Sequence, residues 1–355
     1  MHQIGIFVGE HGKWAFLHDI YADISARYKT VVFKETTYKT PLFSGRINRW
    51  ATERQMRTIL RESNVSFFDW ASELLVPASH LPKTGAIITR LHSYELYVWA
   101  PKVNWDHVDK VILVSQHMHR KFIELYPNHA HKAEVVDNGV ALDKFTPPTQ
   151  RDFKLRLGML CNIHPVKRIY ETILSIYGLK QQGYQPHLTI AGGRWADGYF
   201  DDYLVSIQRL IEKLGLQNDV ALVGFVKDTA AWLQTIDLFI SNSYWEGQQV
   251  ALVEAMAAGC YCLAHNCDGA EEVVPTEQLF LTDAELQQKV IEYANLPVAI
   301  KQQRHDQMRA IACSKFDAED QKAAIRRIFV EVAQTYHKKT SPVHQPHLIR
   351  EAEGR

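Results

Sequence analysis

Short apolar runs alternate with longer helix-periodic segments through most of this chain, and they do so in two successive sets. Residues 4–8, 30–33, 66–70, 86–91, 110–115 and 133–136 read as strands, with helical patterns between them such as 51–61 and 118–125. A second set has strands at 154–160, 187–191, 220–223, 238–241 and 261–264, separated by helices such as 169–182 and 202–214. Strand–helix alternation predicts a parallel sheet covered on both faces. Two sets predict two doubly wound α/β domains, 1–147 and 148–317, with a turn-rich boundary at Pro147-Pro148. The amphipathic stretch 318–336 reads as a last helix returning to the first domain. Residues 337–355, polar and without period, read as a mobile tail. In such sheets ligands bind at the carboxyl ends of the strands, so a cleft between two such domains suits a two-substrate reaction.

Composition narrows the function. Lys+Arg and Asp+Glu are both 40, which argues against a nucleic-acid binder. Five cysteines without a regular framework read as reduced thiols of a cytoplasmic protein. No apolar stretch approaches the roughly 20 residues of a membrane span. The expectation is a soluble protein, at most peripheral at the inner face of a membrane.

The segment most informative about chemistry runs from Ile240 to Gly259, ISNSYWEGQQVALVEAMAAG. A strand ends near Ser241, a turn carries Glu246-Gly247, and residues 250–258 read as a helix capped by Gly259. The backbone N–H groups near Gly247–Gln249 are unpaired at a helix start and suit a phosphate. Glu254, on the second turn, suits a ribose diol, and Glu246 the hydroxyls of another sugar, because a carboxylate offers two acceptors to two donors. Read alone, the two acids serve equally well as helix-start charges that favour the dipole.

The segment resembles the donor signature of retaining GT-B glycosyltransferases, in particular glycosyltransferase family 4. That signature is Ser, two or three residues, Glu-Gly, six residues, Glu-Ala-Met-Ala-x-Gly. Five further stretches match in order. They are Val108 to Ser115 with Arg120, Val136-Asp-Asn-Gly-Val140 to Phe145, Gly158 to Arg168, Leu188 to Gly193, and Val223 to Val226 with Ile236 to Phe239. The resemblance covers about residues 100–275 well and the first hundred in outline. It implies a GT-B architecture, two Rossmann-like domains facing across a cleft. It also implies a metal-independent hexosyl transfer from a UDP-sugar, glucose before others, to a saccharide or lipid-linked saccharide acceptor, with no cofactor besides the donor. The setting it implies is cell-surface or exopolysaccharide synthesis. The alternatives on the same architecture are a sugar-nucleotide epimerase and a non-catalytic sugar-nucleotide-binding subunit.

The resemblance assigns Glu254 to the ribose, Glu246 to the transferred sugar, and Gly247, Gln248, Gln249 and Val250 to the diphosphate end of the donor. It assigns Lys167 to the leaving phosphate and Val226 to the nucleobase. Lys167 falls at an expected helix start, where the dipole repels cations, so an anionic partner is expected for it. Relatives carry an arginine where this chain has Asn162; Arg168 or Arg194 is the expected substitute. In the first half, His92 at a strand end corresponds to the histidine facing the reacting sugar, with Arg90 and Glu95 as weaker companions. Gly9-Glu10-His11-Gly12 is a weak phosphate or acceptor loop.

Two other constellations remain. Cys260, Cys262 and Cys267 lack the second pair a metal site needs and read as packing residues. Residues 27–61 hold nine basic and two acidic residues, and Arg54, Arg57 and Arg61 share a helical face near Arg46 and Arg49. That face reads as a solvated basic helix, or as a contact for an anionic membrane or a pyrophosphate-linked lipid.

Overall fold

The computed structural model describes residues 3–9, 14, 17–35, 44–194 and 198–340. The chain divides into two units, Met1–Leu113 with Phe122–Glu134 and Lys322–Arg355, and Val114–Lys121 with Val135–Gln321.

The first unit is built on six strands, β1 (Gln3–Val8), β2 (Lys29–Val32), β3 (Val65–Asp69), β4 (Ala86–Leu91), β5 (Lys110–Leu113) and β6 (Ala133–Val135). They lie in the order β2-β1-β3-β4-β5-β6. Every residue of β1, β3 and β4 is buried, as strands covered on both faces must be. Helices α1 (His18–Ser25) and α2 (Ser44–Glu62) belong to this unit, and α3 (Gln116–Leu125) enters it at Phe122. α2 buries Met56, Ile59 and Leu60 and turns its arginine-rich side outward.

The second unit has β7 (Arg156–Leu160), β8 (His187–Ala191), β9 (Val220–Gly224), β10 (Leu238–Ser241), β11 (Tyr261–His265) and β12 (Leu279–Phe280). Their order is β12-β11-β10-β7-β8-β9. Succession along the chain therefore reverses between β7 and β10, the place where a doubly wound sheet opens its crevice. The helices are α4 (Ile169–Gln181), α5 (Asp201–Lys213), α6 (Thr229–Gln234), α7 (Val250–Ala257), α8 (Asp283–Asn295) and α9 (Val298–Lys315), while α10 (Ala318–Thr340) belongs from Lys322 onward to the first unit. The core is formed by Leu157, Met159, Leu188, Ile190, Leu238 and Phe239 with the apolar faces of these helices.

Three differences from the sequence reading have physical causes. The chain enters the second unit at Val135, because Val140 and Phe145 pack into that unit's core; the Pro147 ring lies against Gly259. α10 continues to Thr340, so the first residues assigned to a mobile tail are helical, and 341–355 lie outside the described residues. Two-residue β12 is too short to show a period, and the sequence reading also missed α8, although Thr282 with Glu285 forms a capping box at its start.

A buried histidine ties α9 to the loop before β11. His305 Nδ1 lies 2.6 Å from the Gly259 carbonyl, and its Nε2 lies 2.7 Å from the Tyr293 hydroxyl. Burial, with Arg151 nearby, pushes its pKa down to about 4 from 6.5. The folded state therefore binds fewer protons than the unfolded state between those values, and stability falls as pH drops from 6.5 towards 4. We expect this group alone to cost about 3 kcal/mol over that window. His305→Gln should flatten the acid limb of a plot of Tm against pH; an unchanged slope would contradict the assignment.

Candidate functional site

The loops after β7 and β10 meet at the reversal point of the second sheet. After β7 the chain runs beside Gly192, whose φ is +139°. A Cβ there would lie 1.8 Å from the Cys161 carbonyl oxygen, so only glycine allows the two loops this approach. His164 Nδ1 then accepts from the Val166 amide at 3.0 Å and caps a single turn, Pro165–Lys167. Arg168 follows in the left-handed region (φ 50°, ψ 41°) and opens α4. Lys167 thus lies on this turn before α4, and not on the first turn of the helix as the sequence suggested.

Its partner comes from the other loop. Lys167 Nζ donates to Glu246 Oε1, and the Ser243 hydroxyl donates to the same oxygen at 2.7 Å. Burial disfavours the ammonium, but the charge and hydrogen bond of Glu246 outweigh it and hold the Lys167 pKa above its ordinary value. Lys167 is therefore cationic at any physiological pH. The Tyr244 amide donates to the Val166 carbonyl at 2.9 Å and fastens the two loops together.

α7 begins directly after this loop. Gln249 occupies its N-cap position without a side-chain cap. Among the described residues, no backbone acceptor meets the amides of Gly247, Gln248 and Gln249. Side chains brace the loop from outside. The Ser115 hydroxyl donates to the Gly247 carbonyl at 2.8 Å, and Gln248 Oε1 accepts from the Asn138 amide at 2.5 Å. A shallow recess lies here, lined among others by Ser115, Asp137, Glu246, Gly247, Gln248 and Gln249. Such a loop can hold an anion with backbone donors while Lys167 supplies the charge.

Val250 is the first residue of α7, and Glu254 lies one turn on. Its half-buried carboxylate has no hydrogen-bond partner among the described residues. Burial pushes its pKa up to about 7, against a weaker opposing effect of Lys144. An unpartnered carboxylate that burial makes costly to ionise is poised to accept hydrogen bonds from a ligand. The helix ends at Gly259, whose φ of +68° makes it the glycine cap that the sequence signalled.

The remaining expected residues are placed as follows. Asn162 is exposed after β7. Arg168 is buried, donates to Asp283 at 3.1 Å and lies 5.0 Å from the Tyr244 ring centre. Arg194 is exposed, 3.5 Å from Asp201. Both guanidinium groups therefore face protein partners. Val226 is half-buried in the loop after β9. Gly12 lies outside the described residues. In the first unit, His92 is buried beside Asp69, with its ring stacked on Trp70 at 4.2 Å. Arg90 is fully buried against Asp69, and Glu95 accepts from the His92 and Ser93 amides. The Cys260 and Cys262 thiols are buried and donate to carbonyl oxygens.

The sequence reading missed Ser243 as a partner of Glu246, although it is the serine of the donor signature. It also missed Ser115 as a brace of the donor loop, which carries no local signal.

Residues 154–295 match the family model described as glycosyl transferases group 1. In backbone this chain resembles HepE of Anabaena, solved in complex with UDP and glucose. The TM-score is 0.77 at 19% identity, over 92% of this chain and 99% of that one. The fold is GT-B. Protein CapJ of Staphylococcus aureus is 28% identical over 159 residues, 44% of this chain and 39% of that protein. An Escherichia coli UDP-Gal:alpha-D-GlcNAc-diphosphoundecaprenol alpha-1,3-galactosyltransferase is 28% identical over 159 residues, 41% of this chain and 40% of that protein. The matches thus span less than half the length of these curated relatives.

Proposed function

We propose that this chain transfers a hexosyl group from a UDP-sugar, glucose first, to a hydroxyl of a saccharide or lipid-linked saccharide, with retention and without a metal or further cofactor. The observation that carries the reading is the Lys167–Glu246 pair beside the open amides of Gly247–Gln249, with unpartnered Glu254 one turn further. The diphosphate takes the amides and Lys167, the ribose takes Glu254, and the sugar takes Glu246. Lys167 stabilises charge where it develops on the leaving phosphate. The bond from the anomeric carbon to that phosphate breaks as the acceptor oxygen bonds to the same face. A phosphate oxygen takes the acceptor's proton. His92 binds a sugar hydroxyl. UDP is favoured because it appears in the names of the E. coli relative and of the HepE complex. The expected setting is cell-surface or exopolysaccharide assembly in the cytoplasm.

Incubation with a panel of nucleotide sugars should release free UDP from one UDP-sugar above all others, since slow hydrolysis reveals a donor without its acceptor. Tight UDP binding with no turnover of any sugar or acceptor would identify a binding subunit instead. Conversion to an isomeric nucleotide sugar would identify an epimerase.

A lipid-linked acceptor needs an enzyme that reaches a bilayer. No helix among the described residues is long and apolar enough to cross one. α2 offers a surface contact: Trp50 is 61% exposed, the Arg54 guanidinium carbon lies 5.3 Å from its ring centre, and Arg46, Arg49 and Arg61 are exposed. The chain should float with phosphatidylglycerol vesicles, and Trp50→Ala with Arg49→Ala should leave it in the soluble fraction. Equal flotation of both forms would return α2 to a solvated helix.

A further inference from the structure

The backbone of the donor loop is satisfied on one side only. Among the described residues no acceptor meets its three amides, Gly247 to Gln249, yet each of its three carbonyl groups has a donor. Backbone with open donors and occupied acceptors makes a cradle for an anion. Two of the carbonyls are met locally. Gln248 accepts from the Val250 amide at 3.1 Å, and Gln249 accepts from the Leu252 and Val253 amides at 3.0 and 3.1 Å. The Gly247 carbonyl is met from 132 positions away, by the Ser115 hydroxyl at 2.8 Å.

Ser115 lies just before α3, in the segment Val114–Lys121 that belongs to the second unit, so this contact lies within one unit. The side chain is buried, and its oxygen accepts from the Met118 amide at 3.2 Å, which caps the first turn of α3. A carbonyl oxygen only accepts, so the single hydroxyl hydrogen is committed to Gly247. The Gly247 carbonyl and the Gln248 N–H belong to one planar trans peptide, where they point in opposite directions. Holding the carbonyl on Ser115 therefore turns the Gln248 N–H the other way. The Gln248 side chain is engaged elsewhere: Oε1 accepts from the Asn138 amide, and Nε2 donates to Asp137 at 3.3 Å. Without the serine, glycine at 247 would leave this peptide free to turn over, because no Cβ hinders either orientation. Turned over, it would aim a carbonyl oxygen at a bound phosphate.

We propose that Ser115 is a positioning residue for the diphosphate: by holding the Gly247 carbonyl it fixes the peptide that presents the Gln248 N–H to a phosphate oxygen. The proposal rests on the reading of the donor loop as the diphosphate site.

Gly247-Gln248 is the only Gly-Gln pair in the sequence. The full chain labelled with ¹³C-carbonyl glycine and ¹⁵N-glutamine therefore gives one carbonyl-filtered amide signal, that of this peptide. Adding UDP should move it downfield, as an N–H that donates to a phosphate moves. Ser115→Gly removes the hydroxyl but largely spares the start of α3, since glycine is tolerated at a helix cap. It should abolish the UDP-dependent shift and weaken UDP binding about tenfold, the loss of one hydrogen bond to a charged group. It should also lower kcat by about 10²-fold, as losing one oriented donor does. Ser115→Ala should match it in all three readouts while melting at a lower temperature. Ser115→Thr, which keeps both hydroxyl and cap, should restore all three. Losses that instead follow Tm, with alanine worse than glycine, would make Ser115 a helix cap alone and overturn the proposal. A glycine variant that binds UDP and turns over like the wild type also overturns it. So does wild-type UDP binding that leaves the Gln248 signal unmoved, a result that needs no variant to fold. In each of these cases the reading of the donor loop stands. A wild type that fails to bind UDP removes that reading and the proposal together.

Discussion

Lys167→Ala is expected to lower turnover by about 10²–10³-fold, the cost typical of removing one group that stabilises developing charge. Lys167 is held cationic within a loop pinned by His164, Gly192 and the Tyr244 amide, so its charge needs no rearrangement to act. Affinity for UDP should fall less than turnover, because the amides of Gly247–Gln249 and Glu254 remain. The variant should fold, since Glu246 stays partly exposed and keeps the Ser243 hydroxyl. Lys167→Arg should recover little, because a planar fork does not reproduce a point charge in this turn. Glu246→Ala should also harm transfer more than nucleotide binding. The two variants combined should lose less than the sum of their separate losses, as side chains in direct contact do. Initial rates of UDP release, beside a melting curve for each variant, decide the matter. Lys167→Ala turnover within a few fold of wild type would remove Lys167 from the mechanism.

The second large effect concerns Glu254, where stability and binding should move in opposite directions. Its pKa is about 7 in the folded chain, against an ordinary value of 4.5. Between those values the folded state holds the proton and the unfolded state does not, so stability falls as pH rises from 4.5 through 7. Glu254→Gln removes that cost. It should raise Tm at pH 8 by several degrees, since each kcal/mol is worth about 2–4 °C in a chain of moderate size, and should change Tm little at pH 5. The same variant should weaken UDP by about tenfold or more, because hydrogen bonds to a charged acceptor are the strong ones. The ribose hydroxyls are taken to favour the ionised form. Binding to the wild type should then weaken as pH drops below 7 and release a proton, which calorimetry in buffers of different ionisation enthalpy detects. Unchanged UDP affinity in Glu254→Gln would contradict the ribose assignment.

These two residues also show how far the sequence carries. Glu254 was recognisable as a helix residue on the second turn, and Gly259 as its cap, because both rest on neighbours within a few positions. Its raised pKa was not recognisable, since it comes from side chains that the fold buries around it. Lys167 was recognisable as a cation after the first strand of the second set. Its place on a separate turn was not, because that depends on Arg168 taking a left-handed conformation and on His164 capping back. Asn162 was noticed as a departure, and Arg168 as its candidate substitute; the structure turns Arg168 towards Asp283 and Tyr244.

From the sequence alone came the alternation of strands and helices in two sets, the donor loop followed by a capped helix, and the acids and amides this segment carries. All are matters of periodicity and helix-end chemistry, which act over one or two turns. Tertiary structure alone decided which of these groups meet. Lys167 and Glu246 are separated by 79 positions and touch because β7 and β10 lie side by side where the strand order reverses. Asp69, Arg90 and His92 gather because β3 and β4 pair in a particular register. Strand order and register are set by burial of the whole sheet, a non-local energy that no single segment contains.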